Sequence, residues 1–250
     1  CQHGITRVII SDPDLKSINF ETSFSDYFFC YNIMTKIITN KSKYISYNNK
    51  ISCIGLPSDF KNIKPKNNRN KKVCYISTIL LSGGLPKFIA PESDIRLIEW
   101  ETNLVNKVFN DLDFSIDYKP YPAIRYADPD ITLRVVRESN NLNIVGAYLD
   151  LRYIISNYGL LITTGATSTL GWCVESYIPL VFINRKGSLA LKQSVLEEFK
   201  KVFFVFDDSD KNWDKNLKIF LEKPYKDILV LWYKKSSDRL KVINKYFGNA

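Results

Sequence analysis

Short apolar runs alternate along this chain with longer stretches in which apolar and polar residues recur at helical spacing. Brief apolar runs bounded by turn residues read as buried strands, and the longer amphipathic stretches as helices. Strands are expected at residues 8–10, 27–30 and 51–54 in a first block. From residue 73 the pattern becomes regular, with strands expected at 73–77, 114–118, 143–145, 159–163, 179–183 and 202–206. Between them the spacing predicts helices at 92–110, 131–138, 149–158, 169–177 and 188–200, followed by 213–221 and 227–246. In the first of these, Ile95, Leu97, Ile98, Leu104, Val105, Val108 and Phe109 form a broad apolar face, and Asp150 stands where it caps or charges the start of 149–158. Strands joined by helices run parallel, cross over right-handed and are covered on both faces. The fold class is therefore α/β, with a Rossmann-like open parallel sheet.

Composition narrows the possibilities. The chain has 250 residues, 45% hydrophobic and 14% aromatic, with Gly 10 and Pro 10. That apolar share excludes intrinsic disorder, and the Gly and Pro content excludes collagen-like or low-complexity sequence. The runs at 159–163 and 179–183 fall far short of the ~20 apolar residues of a membrane span. The chain opens on Cys1 with no charged segment and apolar stretch of a signal peptide, and we expect a piece of a longer protein. Its five cysteines are widely spaced with no C-x-x-C pair, and Cys30, Cys53 and Cys74 sit in apolar stretches. This pattern fits a reducing, cytoplasmic setting. His3 is the single histidine, so multi-histidine metal sites and histidine proton relays are excluded. With no metal-ligand cluster evident, a metal-independent mechanism is expected.

The formal net charge of +9 is local. Residues 61–72 hold six basic residues, no acidic ones and one proline, which reads as a linker. Residues 223–245 hold seven basic and two acidic residues. These two segments together exceed the whole net charge. Such clustering suits contact with an anionic membrane surface or lipid-linked acceptor better than a nucleic-acid groove, with solvated surface as the default. A nucleic-acid-binding module is disfavoured further because Phe28, Phe29, Phe203 and Phe204 lie in apolar runs, as core residues do.

In open α/β sheets, ligands bind beyond the carboxyl ends of the strands. There the sequence places Ser77 and Thr78, then Ser82-Gly83-Gly84; Lys119-Pro120-Tyr121-Pro122; and Thr164-Gly165-Ala166-Thr167-Ser168-Thr169 opening into a helix. Gly165 permits a tight turn. Ser168 and Thr169 fall where free N–H groups and the helix dipole favour an anion, and equally where Ser and Thr serve as ordinary caps. The prolines fix either a rigid loop or one presenting Lys119 or Arg125 to phosphate. His3 is a loop residue, or a base or donor at a cleft. Asp12, Asp14 and Glu21 are carboxylates with no distinguishing context.

Gln2-His3-Gly4, Gly55-Leu56-Pro57-Ser58-Asp59, Lys119-Pro120-Tyr121-Pro122, and Ser168-Thr169 with Pro179-Leu180-Val181 line up in an order that resembles a known family. This is the family of bacterial surface-polysaccharide glycosyltransferases of the two-domain GT-B type. Within it the likeness is to transferases of lipopolysaccharide O-antigen loci and to Kdo transferases of capsule assembly. More distantly the chain is similar to CDP-glycerol glycerophosphotransferases of teichoic acid synthesis. The likeness runs from about Gln2 to Phe206, and its specificity lies in order and spacing.

The resemblance implies the end of an N-terminal acceptor-side domain at 1–60, the linker at 61–72, a nucleotide-donor-binding domain at 73–222 and a C-terminal helix at 223–250. It places Gln2, His3 and Gly4 at the cleft, with His3 catalytic, beside the Ser77 and Thr78 that the strand-end position already puts there. It gives the donor phosphate or nucleotide Lys119, Tyr121, Arg125, Thr164, Gly165, Ser168, Thr169 and Glu175. It also implies that the terminal helix packs back toward the N-terminal domain. No cofactor is implied: the nucleotide-sugar donor, CMP-linked in the Kdo case, is a substrate. The implied partners are that donor and a glycan or lipid-linked acceptor, with peripheral contact at the inner membrane and no nucleic acid. Two positions depart from the family pattern. Tyr121 stands where His is common, and Trp172 and Cys173 occupy the region of an acidic ribose partner, with Glu175 a turn later. A glycerophosphotransferase and a diverged, inactive nucleotide-binding fragment are the alternatives.

Overall fold

The computed structural model describes residues 8–10, 22, 25–41, 50–61, 63, 71–78, 92–121, 130–187 and 189–248. A first, two-stranded parallel sheet pairs β1 (Tyr27–Cys30) with β2 (Lys50–Cys53) around helix α1 (Ile33–Asn40). The single turn α2 (Ser58–Lys61) leads toward the main sheet. That sheet comprises β3 (Val73–Ile76), β4 (Ile116–Lys119), β5 (Leu142–Ile144), β6 (Leu160–Thr164), β7 (Leu180–Asn184) and β8 (Phe204–Asp207). Its helices are α3 (Asp94–Leu104), α4 (Ile131–Glu138), α5 (Ser168–Glu175), α6 (Gln193–Val202), α7 (Trp213–Leu221), α8 (Tyr225–Lys234) and α9 (Arg239–Tyr246).

All six strands run parallel in the order β5-β4-β3-β6-β7-β8. This is the expected α/β class with an open, doubly wound sheet. The chain steps outward from β3 to β5, then returns to lay β6 against the other side of β3. Neighbouring strands β3 and β6 therefore lead away in opposite directions, and their carboxyl ends mark the switch point at which open sheets of this kind form a ligand crevice. Every residue of β3, β4, β6 and β7 is buried, as both-face coverage requires. Tyr75 packs on Phe109 and Tyr118, and Phe199 on Phe182 and Phe203. Each such ring adds roughly 2–3 kcal/mol of burial.

Several local expectations are corrected. Residues 8–10 form no strand: Ile10 makes one antiparallel bridge to Leu191 while Ile9 is a buried plug. Residues 92–110 divide into α3 and a π-helical turn, Val105–Phe109, which keeps Val105, Val108 and Phe109 buried. Ile95, expected on the apolar face, is 78% exposed. The segment 149–158 is two 3-10 turns, Leu151–Tyr153 and Ile155–Asn157, because Ile154 (φ −114°) interrupts the ladder between buried Leu151 and Ile155. Asp150 does cap its start, accepting from Arg152 N–H at 3.0 Å. Helix 188–200 begins only at Gln193. Phe29, expected in the core, is 41% exposed, whereas Phe28, Phe203 and Phe204 are buried.

The helix predicted at 227–246 is broken into α8 and α9. Buried Arg239 explains the break. Its guanidinium stacks 3.3 Å from the Trp232 ring centroid and donates to the Trp232 and Val202 carbonyls at 2.5 and 3.2 Å. It thereby adds a donor to carbonyls in the last turns of both α8 and α6 and ties the two helix ends together. Helix α9 then packs on α1, and Asn32 Nδ2 donates to the Tyr246 carbonyl at 3.0 Å. Among the described residues, no helix is long and apolar enough to cross a membrane.

Candidate active site at the sheet switch point

The crevice is built from the ends of three adjacent strands. Lys119 and Thr163 lie on either side of Ile76 at one level of the sheet. Two strand spacings of ~4.8 Å separate them, so their backbones stand about 10 Å apart. Ser77 N–H donates to the Lys119 carbonyl at 2.9 Å, extending the ladder to the rim. Thr78 Oγ1 lies 3.0 Å from Thr164 Oγ1 and also donates to the Thr164 carbonyl, tying the two halves of the crevice together.

Gly165 turns the chain from β6 into α5 with φ +66°. A Cβ there would meet Thr78 Oγ1 at 3.3 Å, so both conformation and space ask for glycine. The Ala166 N–H is taken by the Leu189 carbonyl at 3.1 Å, which folds the loop after β7 against this turn. We expect Gly165→Ala to cost about 1–2 kcal/mol of stability through the left-handed backbone alone. Urea unfolding measures this; an unchanged midpoint would show that the turn relaxes freely.

Helix α5 starts one residue earlier than expected. Its N-cap is Thr167, which makes no side-chain capping bond. The Thr167 hydroxyl is shielded from solvent and lacks a partner among the described residues. Ser168 is exposed and Thr169 half-buried in the first turn. The ordinary capping role is thus unfilled at a helix end whose N–H groups favour an anion. Glu175 closes the same helix, about 10 Å along its axis from Ser168, so the structure does not bring it to the strand ends.

Lys119 is the cation that ends β4, level with Ile76 of β3. It is 2% exposed, and its Nζ donates to the Pro120 carbonyl at 2.9 Å. Among the described residues it forms no ion pair. Burial pushes its pKa down, while Cys74 and Asp150 act in the opposite sense. A desolvated ammonium held by one carbonyl retains two donors for an anion. Tyr121 follows half-buried on the same loop. Gln2, His3, Gly4, Arg125, Pro122, the 82–84 segment, Asp12, Asp14 and Glu21 lie outside the described residues.

Sequence reasoning missed a polar cluster beneath this rim. Glu101 of α3 is 2% exposed and accepts from the Tyr75 hydroxyl at 2.8 Å. Ser77 and Tyr118 also hydrogen-bond its carboxyl. Burial pushes Glu101 up to about 7, with the three hydroxyls pulling the other way. One carboxyl thus fastens β3, β4 and α3 just below Ser77. The only sequence signal was an acidic residue on the apolar face of a predicted helix. Arg185, after β7, is likewise buried and pairs with Glu92 at 2.7 Å.

The Gly55–Asp59 segment docks on this same domain. Asp59 pairs with Arg152 at 2.6 Å, and Phe60 stacks on Trp172 at 3.7 Å. Within the basic run, Lys72 pairs with buried Asp117 at 3.2 Å, and Lys71 donates to the Leu221 and Lys223 carbonyls after α7. Among the described residues, no group of three or more His, Cys, Asp or Glu is placed to hold a metal ion.

The fold and crevice define a doubly wound α/β domain with an anion-suited switch point. No family model matches the chain. No curated protein matches it either. Among solved structures it is similar to the GtfA/B complex, with 16% identity, a TM-score of 0.46, and coverage of 94% of this chain and 44% of that one. A pneumococcal O-GlcNAc transferase GtfA, in complex with UDP and GlcNAc, gives 13%, 0.47, 88% and 41%. The wall teichoic acid polymerase TagF gives 15%, 0.48, 92% and 54%. The chain spans about half the length of these structures.

Proposed function

We propose that this chain is the donor-binding part of a transferase that moves a sugar from a nucleotide-activated donor to a glycan or lipid-linked acceptor. The reading rests on one arrangement: Lys119, buried and without an ion pair among the described residues, ends the strand on one side of β3, and the uncapped start of α5 follows the strand on its other side, with Thr78 and Thr164 joined between them. About 10 Å of sheet edge matches the reach of a diphosphate with its ribose. When the bond to the donor phosphate breaks, negative charge grows on the leaving phosphate. Lys119 and the α5 N–H groups stabilise that charge without rearranging. The order of motifs from Gln2 to Phe206 supports a surface-polysaccharide acceptor, a Kdo-like donor sugar, His3 as the cleft base and peripheral work at the inner membrane face. The proposed division is an acceptor-side end at 1–60, a donor domain at 73–222 and a terminal segment at 223–250.

A glycerophosphate donor fits the same anion site and is the second reading, because the crevice selects phosphate and not the group it carries. Calorimetric titration with CMP, CDP and UDP tests the shared part. We expect one-to-one binding of at least one nucleotide with a Kd on the order of 10 μM to 1 mM. A folded sample that binds none of them defeats the proposal. Turnover of CDP-glycerol against nucleotide sugars by the full-length protein then separates the two readings.

A further inference from the structure

Two strands along the same sheet edge from Thr164, a second recess opens beside β8. Trp100 of α3 and Trp213 of α7 hold their indoles parallel within 4°, with centroids 5.8 Å apart. The Arg185 guanidinium lies 4.4 Å from the Trp100 ring centroid, fixed there by its 2.7 Å pair with Glu92. The two indoles border a cleft of about 220 Å³ whose polar lining is Asn103, Lys107, Asp208 and Asp214. Asp208 is oriented by the Lys186 N–H at 2.7 Å and by a hydrogen bond with Trp100. Burial pushes its carboxyl pKa up.

This lining discriminates among ligand chemistries. Neither a flat base nor a sugar ring can enter between the indoles, because two ring contacts of ~3.5 Å need about 7 Å, so a ligand ring lies against the pair. A whole nucleotide exceeds a space smaller than the ~300 Å³ at which ordinary ligand pockets begin. Phosphate meets two carboxylates against one ammonium, an unfavourable balance. What remains is a neutral ring with C–H groups on one face and hydroxyls around its edge. Its C–H face suits indole, its hydroxyls donate to carboxylates, and the Asn103 amide and Lys107 ammonium donate to its oxygens.

We propose that the cleft is a saccharide subsite, taking one pyranose ring against Trp100 and Trp213 with hydroxyls bound by Asp208 and Asp214. Its ligand is a neutral glycan. The assignment of that glycan as the transferase acceptor rests on the function proposed above; the binding itself does not.

Saturation-transfer NMR and indole fluorescence with glucose, galactose, N-acetylglucosamine and their β-1,4 disaccharides test it. We expect at least one saccharide to bind saturably with a Kd on the order of 1–10 mM. Trp213→Ala should weaken this binding at least about tenfold, and Asp208→Asn about three- to tenfold, as expected for losing one aromatic contact or one charged hydrogen bond. Titration of CDP or UDP should be unchanged in both variants. Should Trp213→Ala fail to fold, Asp208→Asn carries the test. Absence of saturable binding across the panel, or binding that both folded variants retain in full, overturns the subsite. Nucleotide binding without saccharide binding defeats the subsite alone, and the converse defeats only the transferase reading.

Discussion

Replacing Lys119 with Met is expected to weaken nucleotide binding about 10- to 100-fold while leaving the domain folded. The magnitude follows from losing a charge-assisted hydrogen bond to phosphate, about 1.5–3 kcal/mol. The apo protein should unfold at the same or a higher denaturant concentration, because the native ammonium is 2% exposed and, among the described residues, is satisfied by the Pro120 carbonyl alone. An apolar side chain of similar length removes an uncompensated desolvation cost there. Calorimetry with the tightest of CMP, CDP and UDP, beside a urea melt, reads both effects. Unchanged affinity in the folded variant would remove Lys119 from the site. A large loss of stability would recast it as a structural cation. The opposite signs on binding and stability separate a ligand-facing charge from a structural one.

The second large effect concerns pH. Burial holds the Glu101 carboxyl at about 7 in the folded protein, raised from an ordinary value of 4.5. Between those two values the folded state keeps a proton that the unfolded chain has released. Stability contributed at this site is therefore fully present below pH 4.5 and falls as pH rises toward 7. It is constant above that. At ~1.4 kcal/mol per tenfold difference in proton affinity, the loss is about 3 kcal/mol. Glu101→Gln cannot ionise and should lack this slope, so the difference between the two proteins isolates Glu101 from every other carboxyl. Denaturant midpoints taken at half-unit intervals across the window would show it. Parallel curves for wild type and variant would mean that the carboxyl is ionised throughout. Because Ser77 shares the Glu101 network at the crevice rim, nucleotide affinity should follow the same titration in the wild type and not in the variant.

The basic segments carry a related lesson about charge. The run at 61–72 reads in sequence as an exposed linker. Its last two residues are instead fasteners: Lys72 neutralises Asp117 on β4, and Lys71 takes the carbonyls after α7 while its ammonium lies 4.0 Å from the Phe114 ring centroid. Burial lowers the Lys71 pKa accordingly. Charge counted along a sequence overstates the charge offered to a partner whenever neighbouring elements consume it.

Local patterns determined a good deal by themselves. Apolar runs such as 160–164 and 180–184 are strands in any context that buries both their faces, and helices of alternating face between them force a parallel sheet. Strand ends mark where ligands meet such sheets, so Ser77, Thr78, Lys119, Thr164 and Gly165 were legible as a group before their contacts were. Tertiary structure alone decided the rest. Whether β6 joins β3 or extends beyond β5 is not written in any one segment, yet it creates the crevice. The Glu101 cluster gathers Tyr75 and Ser77 from β3 and its rim and Tyr118 from β4, and each looks like an ordinary core or loop residue in isolation. Arg239 splits a sequence-continuous helix because its partners, Trp232 and Val202, lie on two different elements. The division has a simple cause. Periodicity records which face of a segment is buried, whereas the pairing of buried polar groups depends on what lies across the interface.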